Sequence, residues 1–290
     1  MNPKEFEANL QFKSDEELKD LRQNFAARFP FDPAADYSSA DIEDMFNYHT
    51  TLRVLGDYKE SATVFREMKN VIDKFHSSGS SPDESLDFLA DWSFMAMNYT
   101  EEKPDEFICL PYYEEVLGAF RDAPPKFRAK ELKVKLQMAH HFRFWLASKG
   151  NPELLEEDLR FFLTRLITDF PGEVEGIMEK KSAQNEWDDA ADLSRALYRF
   201  YNYGKKPNEA AKFLKQTLEL IPKTSDYVEA DSADLYLSLG RLYADHSKWE
   251  TARKYFMKAK EMYSAMGEDF EIFVAQAEGW LEESEWMIKK

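Results

Sequence analysis

Apolar residues recur along the chain at the three- and four-residue spacing of amphipathic helices, and turn residues interrupt this pattern at short intervals. The first predicted helix begins after Ser14, which forms a capping box with Glu17, and it ends at Pro30. A second helix over residues 41–55 is joined by a tight turn to a third that runs to about Phe75. Helices joined by such short turns pack as antiparallel pairs.

The same pairing continues through the middle of the chain. Helices are predicted at about 83–98 and 107–122, and again at about 127–149 and 152–170. Pro171 is expected to end the last of these, because a proline inside a helix removes a hydrogen bond and clashes with the preceding turn. The pattern therefore predicts two more helix pairs in this region.

The most specific pattern lies in residues 234–263, which read DLYLSLGRLYADHSKWETARKYFMKAKEMY. Two antiparallel helices approach closely only where small side chains leave room, and Gly240 and Ala252 supply such positions. The space around that contact is expected to be filled by Leu239, Tyr243 and Phe256.

This segment resembles a tetratricopeptide repeat. With Gly240 at the eighth repeat position, the other signature positions fall on Tyr236, Leu239, Tyr243, Ala252, Phe256 and Ala259. Residues 192–222 match the same pattern through Leu197, Tyr201, Ala210, Leu214 and Pro222, and residues 41–75 match it in part through Ser61 and Phe65. Both departures from the family's small eighth residue are bulky, namely Tyr198 and His49.

The resemblance implies an all-α fold, a right-handed superhelical solenoid of about five antiparallel helix pairs. It is expected to form one domain over residues 1–290. The predicted parts are an N-terminal cap at 1–40, helix pairs at 41–76, 82–122, 127–171, 183–222 and 228–265, and a C-terminal cap helix at 267–290.

Charge and cysteine content narrow the functional classes. The chain has 55 acidic and 38 basic residues, a net charge of -17 that repels nucleic acid backbones and anionic membranes and attracts basic partners. The single Cys109 excludes an intramolecular disulfide and a zinc site of several cysteines. No apolar run is long enough to span a bilayer, and the first residues lack the apolar core of a signal peptide. A cytoplasmic protein is expected.

In tetratricopeptide proteins the first helix of each pair lines a concave groove, so the resemblance implies where a partner protein or peptide binds. The implied face consists of Arg195, Arg199, Asn202, Tyr203, Leu237, Arg241 and Asp245. Arginine forks onto carboxylate or phosphate oxygens, so an acidic segment or a free C-terminus is the expected ligand. The alternative is that these arginines pair within the chain, with Asp188, Asp189, Asp192 and Glu209 as the nearby acids.

Two further segments have an unusual charge. The basic segment 126–149 also contains Phe127, Phe142, Phe144 and Trp145, a mixture that either stacks on nucleic acid or packs in the core with its lysines toward solvent. Core packing is the favoured interpretation. The acidic segment 268–290 contains Trp286 off its apolar stripe, so it either docks a basic partner or forms a solvated cap.

Motifs of catalysis are missing from the sequence, which has no glycine-rich phosphate loop, HExxH, GxSxG or CxxC. His140 and His141 are adjacent, so on a helix they point about 100° apart and do not chelate one metal together. Cys109 lies in the apolar run FICL and is expected to be a core thiol. No catalytic residue, cofactor or metal site is predicted.

The predicted function is a non-catalytic protein-interaction module, an adaptor, scaffold or chaperone-like protein that holds a peptide segment or a partner protein in its groove. Two alternatives stay open. One is a regulator that senses a small peptide or small molecule in the same groove, and the other is an acidic inhibitor that neutralises a basic partner. The partner and the oligomeric state are not predicted.

Overall fold

The computed structural model describes most of the chain. The described residues are 13–28, 35–78, 82–95, 110–121, 123–147, 151, 153, 155–225, 227–267 and 270–290. All regular secondary structure within them is helical, which confirms the predicted all-α class. Pro30 and Cys109 lie outside these residues, and the solenoid of about five repeats stays a prediction.

Helix packing divides the chain into two compact units. The described helices of the first unit are α1 (Asp15–Arg28), α2 (Ser39–Val54), α3 (Tyr58–Ser77), α4 (Pro82–Met95) and α5 (Leu110–Arg121). Those of the second unit are α6 (Arg128–Ala147), α7 (Glu157–Thr168), α8 (Phe170–Ala183), α9 (Trp187–Tyr203), α10 (Pro207–Leu220), α11 (Glu229–Asp245), α12 (Trp249–Ala265) and α13 (Glu271–Lys289). The single domain predicted over residues 1–290 stays a prediction.

In the first unit each helix packs on the next along the chain, and aromatic rings form much of the core. Phe65 stacks on Trp92 with ring centroids 5.0 Å apart, and the indole Nε1 of Trp92 donates a hydrogen bond to the carbonyl of Phe65 at 2.8 Å. His49, which stands where the repeat family has a small residue, is buried with its ring centroid 6.2 Å from that of Phe65. The bulky replacement is therefore part of this core.

The predicted close contact between Gly240 and Phe256 is present where α11 packs on α12. A Cβ atom placed on Gly240 would lie 2.3 Å from a ring carbon of Phe256, so only glycine fits without moving the ring. Ala252 and Phe256 are fully buried, and the ring of Phe256 stacks on Trp280 of α13 with centroids 5.4 Å apart. One packed cluster therefore joins α11, α12 and α13.

Helix α8 corrects the sequence prediction for the middle of the chain. The pattern places a helix end at Pro171 and leaves residues 172–182 unassigned, but α8 spans Phe170–Ala183. Pro171 lies in the first turn of α8, where its fixed φ suits a helix and its missing N–H has no hydrogen bond to make. The second unit therefore contains one helix more than the predicted pairs and cap supply.

Candidate peptide-binding face

The predicted binding residues lie on two helices of the second unit, α9 and α11, which both pack against α10. Arg199 and Asp245 are exposed, whereas Arg195, Asn202 and Arg241 are half-buried. We call Arg195, Arg199 and Arg241 the arginine face.

Two of the predicted residues do not contribute a described side chain to this face. Leu237 is only 5% exposed and lies in a buried cluster with Phe256 of α12 and Ala277 of α13. It is a core residue, which corrects its assignment to an open surface, because the helices that follow α11 cover this position. The side chain of Tyr203 lies outside the described part of the chain.

Arg195 on α9 and Arg241 on α11 act on the same carboxylate, that of Asp234. Desolvation raises the pKa of Asp234 above its ordinary value, while a hydrogen bond from the hydroxyl of Tyr263 opposes that rise. Nearby Asp231 raises the pKa further, and the charges of Arg241 and Arg195 lower it. The charges of these two predicted residues therefore both influence one carboxylate.

Arg199 has a different neighbour, the imidazole of His140 on α6. His140 is 7% exposed, and its burial, together with the charges of Arg143 and Arg199, lowers its pKa to about 4. The imidazole is therefore neutral near pH 7 and adds no positive charge of its own. The charge of Arg199 therefore influences a side chain of α6.

Arg143 of α6 is a fourth cation at this place. Its Nη1 donates a hydrogen bond to the carbonyl of Phe200 on α9 at 3.3 Å, and its guanidinium carbon lies 4.4 Å from the ring centroid of Phe200. Gly204 leaves room for it, since a Cβ atom there would lie 1.9 Å from the Nη1 atom. In the sequence Arg143 is one cation among several in the basic segment, and only the packing of α6 on α9 reveals its position.

Of the four acids near the arginine face in sequence, all but Glu209 have a partner elsewhere in the chain. Their partners are Ser225 for Asp188, Lys181 for Asp189 at 2.7 Å and Lys133 for Asp192 at 3.9 Å. Across the described residues, none of the three arginines forms a hydrogen bond or an ion pair. No described carboxylate is therefore ion-paired with these guanidiniums, although the charges of Arg195 and Arg241 influence Asp234.

An aromatic ring positions Arg241. Its guanidinium carbon lies 5.6 Å from the ring centroid of Trp280 on α13. Its Nε atom is buried and has no hydrogen-bond partner among the described residues. A guanidinium that stacks on an aromatic ring keeps the fork at its edge for an anion, so Trp280 orients this charge without cancelling it.

Three cations of the basic segment 126–149 form ion pairs within the chain. Its ion pairs join Arg128 and Lys135 to Glu131, and Lys133 to Asp192. Of its aromatic rings, Phe127, Phe142 and Trp145 are buried and Phe144 is 38% exposed. These contacts favour core packing over a nucleic-acid surface for this segment.

Where the structure describes the chain, no three or more His, Cys, Asp or Glu side chains are grouped to hold a metal ion. No helix in the described part has both the length and the apolar character needed to cross a membrane.

Comparison with known proteins does not identify a family for this chain. No protein-family model matches the chain, and no curated protein matches it. Among solved structures, the crystal structure of BtubC (BKLC) from P. vanneervenii is similar, with 14% sequence identity, 92% of each chain covered and a TM-score of 0.45. A similarity of this strength carries no statement about function, so the tetratricopeptide resemblance stays a prediction from the sequence.

Proposed function

We propose that this chain is a non-catalytic protein-interaction module whose arginine face binds an acidic peptide segment or a free C-terminus. The observation that carries the proposal is the lack of paired carboxylates at Arg195, Arg199 and Arg241 among the described residues. These guanidiniums can therefore bind an external anion without the loss of an ion pair formed among the described residues.

The chemistry of the face suits a carboxylate. Each guanidinium offers a planar fork of N–H donors, and a charge-assisted hydrogen bond to a carboxylate contributes about 1.5 to 3 kcal/mol. Asn202, half-buried on the same helix as Arg195 and Arg199, offers both a donor and an acceptor to peptide backbone. Two or three such contacts are enough for a specific complex of modest affinity.

The overall negative charge does not prevent an acidic peptide from binding. At physiological salt the Debye length is about 8 Å, so acids on the far side of the unit are screened while the arginines in contact with the ligand are not. The net charge of -17 instead slows the approach of acidic ligands, and it disfavours their binding elsewhere on the surface.

The described cavities do not coincide with this face. One lies at the turn between α2 and α3, around Asp57 and Thr63, and another lies between α8 and α10, around Met178 and Gln216. Arg195, Arg199 and Arg241 line neither of them. Neither of these two cavities therefore provides an enclosed small-molecule site at this face.

A charge reversal tests the proposal. We expect the triple variant Arg195→Glu, Arg199→Glu, Arg241→Glu to weaken binding of a fluorescent Glu-rich decapeptide by about 100-fold or more, because at least two charge-assisted contacts are lost and repulsion replaces them. Fluorescence anisotropy measures the affinity, and circular dichroism verifies the fold. The same peptide with lysine in place of glutamate is the ligand control.

Two further variants separate binding from stability. Arg241 stacks on Trp280, so the double variant Arg195→Glu, Arg199→Glu leaves that contact in place and should still weaken the peptide at least about tenfold. The matched control is Lys254→Glu, Lys258→Glu on the exposed side of α12, which changes the net charge equally. Equal losses of affinity in both double variants would mean that only net charge matters, and the proposal would fail.

A further inference from the structure

The final helix, α13, exposes an apolar stripe on the side that faces away from its neighbours. Ile272 is 49% exposed and Trp286 is 59% exposed. Between them Ala275 and Gly279 are also exposed, and a Cβ atom added to Gly279 would meet nothing within 4 Å. The spacing of three, four and seven residues places these four on one helix face, so we call them the α13 stripe.

The opposite side of α13 accounts for its packing within the unit. Ala277 and Ser284 are fully buried there, and Phe273 and Trp280 pack against the cluster shared with α11 and α12. The α13 stripe therefore contributes nothing to this core. It is about 21 Å long, four helical turns, which is the length of an ordinary helix-on-helix contact.

Negative charge flanks the α13 stripe. Glu271, Glu282 and Glu283 are exposed, and none of them forms an ion pair among the described residues. Two other glutamates of the helix, Glu278 and Glu285, are engaged by Lys260 at 2.8 Å and Arg253 at 3.2 Å, both on α12. The acids on the α12 side are thus neutralised within the chain, while those beside the stripe are not.

Trp286 already accepts a cation on its ring face. The ammonium of Lys290 lies 4.6 Å from the ring centroid of Trp286. Such a contact contributes about 0.5 to 1 kcal/mol at an exposed site, so a lysine or arginine of a partner can take its place without a large cost.

We propose that the α13 stripe docks a basic amphipathic helix of a partner protein. The apolar residues of that helix pack on Ile272 and Trp286, its backbone approaches closely at Gly279, and its lysines or arginines meet the glutamates beside the stripe. Charge complementarity selects this occupant. A second copy of this chain would bring two rows of glutamates together, and nucleic acid or an anionic membrane would be repelled.

A designed peptide tests the surface. The probe is a synthetic 18-residue helix with leucine and alanine along one face and lysine on both flanks, labelled for fluorescence anisotropy. We expect Trp286→Ala to weaken its binding about tenfold, since a large exposed aromatic ring is the kind of residue that anchors such contacts. Glu282→Lys, Glu283→Lys should weaken it at least as much. These side chains are exposed, so the variants keep the fold.

Matched controls exclude a general attraction between an acidic protein and a basic peptide. Phe161→Ala removes a 66% exposed ring from α7, and Glu179→Lys, Glu219→Lys makes the same charge change on α8 and α10. Binding within about twofold of wild type in both controls supports the proposal. Equal losses in the controls, or a dimer in light scattering that Trp286→Ala dissociates, would overturn it.

Discussion

Replacing Phe256 with alanine is expected to lower the free energy of unfolding by about 3 to 5 kcal/mol. Phe256 is fully buried, its ring touches the backbone position of Gly240 on α11, and it stacks on Trp280 of α13. Truncation removes this ring from the cluster that joins three helices. The contact with Gly240 cannot be restored by local collapse, because glycine has no side chain to move into the cavity.

Urea unfolding followed by circular dichroism measures this effect. The matched control is Met257→Ala at the next position of α12, where the side chain is 40% exposed, and we expect a loss below about 0.5 kcal/mol there. A loss below about 1 kcal/mol for Phe256→Ala would mean that this ring is not the centre of the packing.

Acid is expected to destabilise the protein well above the pH at which carboxylates titrate. Burial, with a nearby Arg53, lowers the pKa of His49 to about 3, and burial with the neighbouring His140 lowers that of His141 to about 3. His140 itself has a pKa of about 4. Each histidine therefore binds its proton more readily in the unfolded chain than in the folded one.

The sign of the effect follows from this difference. Between pH 6.5 and the folded-state values the unfolded chain binds more protons, so stability falls as the pH falls. At pH 5 the loss is about 2 kcal/mol for each of the three histidines, from 1.36 kcal/mol per pH unit below the ordinary pKa.

Urea unfolding at pH 7 and pH 5 measures this loss, and a non-titrating variant assigns it. We expect His141→Gln to reduce the pH dependence by about 2 kcal/mol whatever its effect at pH 7. His246→Gln, at an exposed position, is the matched control. An unaltered pH dependence in His141→Gln would show that His141 is charged or solvated in the folded state.

Much of the fold was predictable from local sequence patterns. The contact between Gly240 and Phe256 was predictable because a glycine and an alanine at fixed spacing on two adjoining helices leave room for one large ring. The helix α8 was not predictable from the same rules. Pro171 both ends one helix and begins the next, and the sequence does not distinguish these two roles when a single residue separates the helices.

The residues of the candidate face were likewise predictable only in part. Arg195, Arg199 and Arg241 were predicted from their repeat positions, and the charges of Arg195 and Arg241 both lower the pKa of Asp234. Leu237 occupies an equivalent position but is covered by later helices, and Arg143 joins from α6, more than fifty residues away in sequence. Whether later helices cover a residue, and which distant residues lie beside it, depends on how helices far apart in the sequence pack. The local spacing of residues carries no information about that packing.

Hydrogen–deuterium exchange of the wild-type protein, with and without a saturating Glu-rich decapeptide, tests the proposed binding face most directly. We expect the peptide to slow amide exchange in residues 187–203 and 229–245, the helices that carry the arginine face. Slower exchange confined to α13 or to the first unit, or no change at saturation, would contradict the proposal.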